Sequence, residues 1–289
     1  MSNQDQPLVS IGMPVYNEEK YIRASIEALL AQDYENIEII LSDNASNDNT
    51  SSICKELADA NSNITFHQFN VNVGITRNFN YVLENSSGEY FMWASGHDLW
   101  STNYITECVK IMINNPQAVI SFGSSQWIDQ DSQIMQSRQF GWADTRGLDV
   151  FSRYIYAFWG NMHPILGVIK KEKLLEKPAI NTAGTDMIIL CRLSLEGDFT
   201  HATHAEWSRR EFRDETTYKE KLKRYKSKEF GLIASKLDLI FPLARLPIEL
   251  TKDIFASKHT FLIKLSLFIL IIFMLPIRFI AGKLVNKRN

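Results

Sequence analysis

The chain has 289 residues, 45% of them hydrophobic and 22% charged, with a net charge of −2. That supplies one substantial core with an appendage and excludes a disordered chain. The near-neutral balance, with no basic stripe interleaved with aromatics in the first 200 residues, gives no case for a nucleic-acid partner.

Leu8 to Val15 reads as a strand, with Asn17 as a cap and Glu18 to Gln32 as a helix whose Ile22, Ile26, Leu29 and Leu30 share a face. Ile37 to Ser42 is a second strand, followed by a polar loop from Asp43 to Asn49 and a helix from Thr50 to Ala60. Ile64 to Phe69, a turn over Asn70 to Gly74, and a helix from Ile75 to Asn85 complete the next unit. Glu89 to Ala94 is a fourth, buried-type strand, and it delivers Ser95, Gly96, His97 and Asp98 to its carboxyl end. Such short-looped alternation predicts βαβ units in a mostly parallel sheet, and ligands bind at the carboxyl edge of such sheets.

Further along, Thr102 to Asn114 reads as a helix, Ala118 to Gly123 as a strand and Trp127 to Gln136 as a strand or hairpin arm. Leu148 to Trp159 and Asp186 to Leu195 read as helices, and Gly167 to Lys171 and Thr200 to Trp207 as extended. The three cysteines, Cys54, Cys108 and Cys191, fall in helical stretches without CxxC spacing, which fits a reducing cytosol better than a disulfide or zinc framework. The polar start, MSNQDQP, lacks an apolar core, so no secretory signal is expected.

After Asp253 no acidic residue occurs, whereas Lys258, Lys264, Arg278, Lys283, Lys287 and Arg288 do. Residues 261–280 are apolar except at Lys264, Ser266, Pro276 and Arg278, close to the roughly 20 residues that a membrane-spanning helix needs. Phe230 to Phe255, amphipathic and carrying Pro242 and Pro247, reads as interfacial or as one arm of a re-entrant hairpin. The expected division is therefore residues 1–215 as one domain and 216–289 as helical, membrane-associated extension. Basic residues flank the apolar run on both sides, so orientation and spanning stay open.

No GxGxxG follows the first strand, which sets aside a dinucleotide oxidoreductase. Instead VSIGMPVYNE at 9–18, ILSDNASNDNT at 40–50, NVGITRNFN at 72–80, GEYFMWASGHDLW at 88–100 and GTDMIILCRLSLEG at 184–197 together resemble the family 2 nucleotide-sugar glycosyltransferases, which have the GT-A fold. The resemblance covers roughly residues 8–210. It implies that Pro14, Val15, Tyr16, Asn17 and Glu18 line the nucleotide pocket, that Asp43 accepts a hydrogen bond from the base, and that Arg77 approaches the diphosphate, where a guanidinium fork suits phosphate.

In that family the loop after the fourth strand holds Mg²⁺ or Mn²⁺ with an Asp-x-Asp pair and a following Asp. Here Ser95 and His97 stand at the paired positions and Asp98 at the following one, so the resemblance leaves Asp98 and His97 as the metal candidates, weakly held, or His97 as a donor to phosphate. Asp186 matches the base that takes the acceptor proton in an inverting displacement. Trp159, Asn161 and His163 offer an aromatic wall and polar groups for the acceptor. Arg210 and Arg213 read as surface charge, with a phosphate clamp as the alternative. The expected activity is transfer of a sugar to a glycan or polyprenyl-linked acceptor at the cytoplasmic membrane face. The competing reading, which Ser95 and His97 invite, is a catalytically impaired, membrane-tethered scaffold that binds nucleotide sugar.

Overall fold

A computed structural model describes residues 6–140, 144–177, 179, 181–182, 184–211 and 245–285. The strands are β1 (Val9–Val15), β2 (Ile37–Asp43), β3 (Ile64–Gln68), β4 (Tyr90–Trp93), β5 (Leu99–Trp100), β6 (Ala118–Ile128), β7 (Ile134–Phe140), β8 (Val168–Lys170) and β9 (Asp198–Arg210). The helices are α1 (Ile22–Leu30), α2 (Thr50–Ala60), α3 (Ile75–Glu84), α4 (Tyr104–Asn114), α5 (Val150–Trp159), α6 (Lys171–Leu175), α7 (Thr185–Glu196), α8 (Arg245–Ala256) and α9 (Phe261–Val285).

These strands form one mixed sheet in the order β3-β2-β1-β4-β8-β6-β9-β5, with β7 paired to β6. β1 to β4 run parallel, as the alternation requires, and β6 and β9 are also parallel. β8 enters antiparallel between β4 and β6, and the two-residue β5 pairs antiparallel with β9. Because side chains alternate across a strand, β4 sends Tyr90 and Met92 into an apolar cluster with α1, α2 and α4. Its Phe91 and Trp93 enter a second cluster with α3, α5 and α7.

Several boundaries differ from the sequence expectation. Asn17 is not a helix cap: it sits at φ 55°, in the left-handed region, and α1 begins only at Ile22, after Tyr21. Its side-chain oxygen is used across the site instead, as described below. The segment read as one arm over Trp127 to Gln136 contains the turn between β6 and β7, where Asp129 accepts from the backbone N–H groups of Asp131 and Gln133. α5 starts at Val150 because Asp149 caps it, accepting from the N–H groups of Phe151 and Ser152. Cys54, Cys108 and Cys191 are buried, unpaired thiols in α2, α4 and α7.

α8 packs into the body, with Leu246, Leu250 and Ile254 buried in the second cluster. Asp253, 6% exposed, fixes it by accepting from Arg192 Nε at 2.9 Å and Lys177 Nζ at 2.7 Å. The Phe230 to Phe255 expectation is described only over its last part, as α8, and the 215/216 boundary lies outside the described residues.

Candidate functional site

The polar loops after β1 and β2 are stitched to one another. Asn17 N–H donates to Ser46 Oγ at 2.9 Å, and Asn47 N–H returns to Asn17 Oδ1 at 2.9 Å. Glu18 N–H donates to Thr50 Oγ1 at 2.7 Å, and Glu19 Oε2 accepts from Asn49 N–H at 2.9 Å. These bonds hold Pro14 to Glu18 and Asp43 to Asn49 as one rim. Asp43 is fully buried and accepts from both the backbone and the hydroxyl of Ser46. Burial raises its pKa, and the Ser46 bonds pull the other way.

Asn78, buried on α3, joins the rim from below. Its amide donates to the carbonyls of Val15 and Ser42 at 3.3 and 3.1 Å, and its oxygen accepts from Ser42 Oγ at 2.6 Å. Asn44 extends the tie to the loop before α3, accepting from Val73 N–H at 2.8 Å and donating to Asn72 Oδ1 at 3.0 Å. Arg77 lies exposed on α3 and pairs with Glu84 at 2.6 Å, two turns along.

The Ser95 to Asp98 loop closes against this rim. Gly96 makes the approach possible: a Cβ there would stand 3.1 Å from both Glu18 Cγ and Val15 Cγ1. His97 Nδ1 lies 2.9 Å from Glu18 Oε1, and Nε2 lies 2.9 Å from Ser95 Oγ. A carboxylate only accepts, so the proton belongs on Nδ1 and Nε2 is left to accept from the Ser95 hydroxyl. Asp98 Oδ1 is 3.9 Å from His97 Nε2.

Asp98 turns inward and is 2% exposed. Its Oδ2 accepts from Trp207 Nε1 at 3.0 Å and its Oδ1 from Arg210 N–H at 2.9 Å, both on β9. Burial raises its pKa against the lowering effects of His97 and these two donors. Arg210 is 4% exposed, so neither surface charge nor a mobile clamp describes it. It donates from Nε to His97 O at 2.8 Å, from one terminal nitrogen to Asp129 O at 2.8 Å, and from the other to Ser132 Oγ at 3.0 Å. Its plane also covers the Tyr21 ring at 4.4 Å, so it staples the loop to the β6–β7 turn. Arg213 lies outside the described residues.

The arrangement does not fit a preformed metal cage. Both Asp98 oxygens already face N–H donors, His97 is engaged by Glu18 and Ser95, and no group of three or more His, Cys, Asp or Glu among the described residues could hold an ion.

α7 follows Gly184, which adopts φ 85° immediately before Thr185 and Asp186. Asp186 lies exposed in the first turn of α7. Desolvation raises its pKa, and the Arg209 cation opposes the rise. Arg209 lies over the Trp127 ring at 4.4 Å and 3.2 Å from His163 Nε2. His163 Nδ1 lies 2.9 Å from Ser125 Oγ, and its ring meets Trp207 edge-on at 5.2 Å. Burial, with Arg209 second, lowers the His163 pKa to about 4, so the ring is neutral at pH 7. Asn161 Oδ1 accepts from His163 N–H at 3.0 Å and closes the turn after Trp159.

The structure thus brings Glu18, Ser95, His97 and Asp98 into contact, and through Trp207 it joins them to His163. Sequence reasoning misses Asn78, Trp207 and Arg209, and it places Arg210 at the surface rather than in the wall. NVGITRNFN contains Asn78, but nothing local marks its partners; Trp207 and Arg210 acquire theirs only when β9 pairs with β5 and β6.

Residues 10–167 match the profile described as Glycosyl transferase family 2. An uncharacterized glycosyltransferase of Rickettsia typhi is 37% identical over 135 residues, 46% of this chain and 41% of that protein. The match thus spans less than half of that relative. An Escherichia coli protein named UDP-Glc:alpha-D-GlcNAc-diphosphoundecaprenol beta-1,3-glucosyltransferase WfgD is 30% identical over 130 residues, 45% of this chain and 50% of that protein. Staphylococcus aureus TarS, solved in complex with UDP, aligns with a TM-score of 0.65 and 14% identity over 89% of this chain and 68% of that one, which is a likeness of fold.

Proposed function

The chain belongs to glycosyl transferase family 2, and from that premise we propose that it is an inverting enzyme that moves a sugar from a nucleoside diphosphate sugar to a hydroxyl of a lipid-linked glycan at the cytoplasmic membrane face. One observation carries the reading: the loop holding His97 and Asp98 is clasped by Glu18 at the same sheet edge as Asp43. The donor class is supported by the UDP and UDP-GlcNAc complexes of TarS, and the acceptor class by the name of WfgD.

In this reading the rim from Pro14 to Glu18 and Asp43 holds the nucleoside, and Arg77 and His97 meet the diphosphate. Exposed Arg77 would exchange its Glu84 partner for phosphate at small cost, because a surface ion pair is worth at most about 1 kcal/mol. Asp186 takes the acceptor hydroxyl proton as that oxygen bonds to the anomeric carbon; the bond from that carbon to the diphosphate oxygen breaks and the nucleoside diphosphate leaves. Trp159, Asn161 and His163 bound the acceptor side.

The test is nucleoside diphosphate release from a panel of nucleotide sugars, with a polyprenyl-diphosphate-linked GlcNAc acceptor, with and without Mn²⁺, in wild type and Asp186→Asn. Release that requires acceptor and is lost in the variant supports the proposal. Donor binding without turnover under every condition would establish the scaffold reading instead.

A further inference from the structure

α9 is apolar enough to cross a membrane, with a mean hydropathy of 2.3 over Phe261–Arg278. Its placement argues otherwise. Leu267 and Ile271, at 0% and 2% exposure, are buried in the core cluster shared with α7 and α8. Just before the helix, His259 Nε2 donates to Leu195 O at the end of α7, 2.9 Å away. Near its other end, Arg278 reaches the carboxyl terminus of α5, donating to Phe158 O and, at 3.3 Å, to Gly160 O. A guanidinium suits that position, because the last carbonyls of a helix carry partial negative charge.

Phe261 and Arg278 are about 26 Å apart along a helix rising about 1.5 Å per residue. A helix held to one domain at both ends of that length runs along the domain's surface. It cannot also cross a hydrocarbon core about 30 Å thick while the domain stays outside.

The outward face is as apolar as the inward one. Leu262, Leu265, Ile269, Phe273, Ile277 and Ile280 follow one another at spacings of three or four and are 37–74% exposed. Ile248 and Phe255 on α8 are also exposed, at 52% and 41%. Lys258 is exposed beside this stripe, and the sequence beyond Asp253 carries basic residues and no acidic ones. An apolar stripe in a stretch of sequence that carries basic residues and no acidic ones complements an anionic bilayer surface.

We propose that α9 seats the enzyme in the plane of an anionic membrane, its outward stripe in the lipid and its inward face in the protein core. Arg278 then ties the seat to Gly160, one residue from Asn161, so the acceptor side of the cleft is held beside the bilayer. The inference deepens the membrane association proposed above and rests on it for the choice of lipid. Its readouts need neither donor nor acceptor, so its failure is distinguishable from failure of the proposed chemistry.

The test uses the full chain. Flotation with phosphatidylcholine vesicles should increase about tenfold or more when phosphatidylglycerol is included. The double substitution Ile269→Glu and Phe273→Glu should abolish flotation while far-UV circular dichroism and melting stay as in wild type. In sealed, cytoplasm-out vesicles, an impermeant maleimide should label both Ser257→Cys and a cysteine added after Asn289, over a low background because the native thiols are buried. Labelling of the added cysteine only after permeabilisation would establish a spanning helix and overturn the proposal. So would a stable dimer in solution that ignores both vesicle types, because a second copy would then cover the stripe.

Discussion

The donor-side rim, built by the loops after β1, β2 and β4, is held by many short polar contacts among Asn17, Glu18, Ser46, Thr50 and His97. The opposite wall, built by β9 and the turn after α5, is held by rings and long side chains: Arg209 on Trp127, His163 against Trp207, Arg210 on Tyr21. The rim combines neutral asparagine and hydroxyl contacts with the carboxylates of Glu18, Glu19 and Asp43. The wall rests on two arginines and a buried neutral imidazole. Substitutions in the wall should therefore change its pH response without touching the rim's own contacts.

Asp186→Asn separates chemistry from architecture most sharply. It keeps the shape of the side chain and removes its basicity, so kcat should fall by about 100- to 10,000-fold. Donor affinity, measured by calorimetry, should stay near wild type because the rim is untouched. A variant with wild-type turnover would remove Asp186 as the base.

Asp98→Ala tests the seam where rim and wall meet. It strips the acceptor from Trp207 Nε1 and from Arg210 N–H, both buried. Each orphaned donor costs about 1–3 kcal/mol, so unfolding in urea should show a loss of roughly 2–5 kcal/mol. Donor binding should weaken with it, because the loop carrying His97 loses its tie to the Arg210 backbone. Loss of donor binding with unchanged stability would instead make Asp98 a ligand-contacting group rather than a support.

His163 gives the wall its pH dependence. Its folded pKa of about 4 lies below the unfolded value of 6.5, so between those values the unfolded chain binds more protons than the native one. Stability therefore rises with pH across that window, and the acid loss attributable to this ring is roughly 3 kcal/mol by the linkage between pKa shift and stability. Urea unfolding from pH 4 to 7 should show the slope, and His163→Gln, which keeps polar partners for Ser125, should flatten it. An unchanged slope in the variant would assign the effect elsewhere.

The same contrast explains what the sequence made legible. Asp43, Ser95, His97 and Asp98 each follow an apolar strand within a few residues, so their position at the carboxyl edge could be read from local pattern alone. The alternation before residue 100 likewise dictated the parallel strands. Trp207, Arg209 and Arg210 are different: they meet Asp98 and His163 across sequence separations of 109, 46 and 112 residues, and nothing near them encodes the register of β9. The shape of α9's surroundings was equally hidden, because its composition is the same on the face that enters the core and on the face that does not. Asn17 was misread for a local reason, since an asparagine before a helix usually caps it, whereas here its carbonyl oxygen is spent on Asn47.

Arg209→Gln should have the smallest effect and the most discriminating one, because the cation acts on two groups with opposite consequences. Its charge lowers the pKa of Asp186, so removing it lets that pKa rise further. Less Asp186 is then ionised at a given pH, and the acid limb of kcat/KM moves to higher pH. The loss of rate at neutral pH should stay below about tenfold, the change that one pKa unit produces in ionised fraction. The same cation helps depress His163, after burial, so its removal lets that pKa climb back toward 6.5. The acid loss of stability should then shrink. Activity becomes more sensitive to acid while the fold becomes less so, a divergence that mere loosening of the wall would not produce. A variant in which both profiles move in the same direction would show that Arg209 acts through packing on Trp127 rather than through its charge.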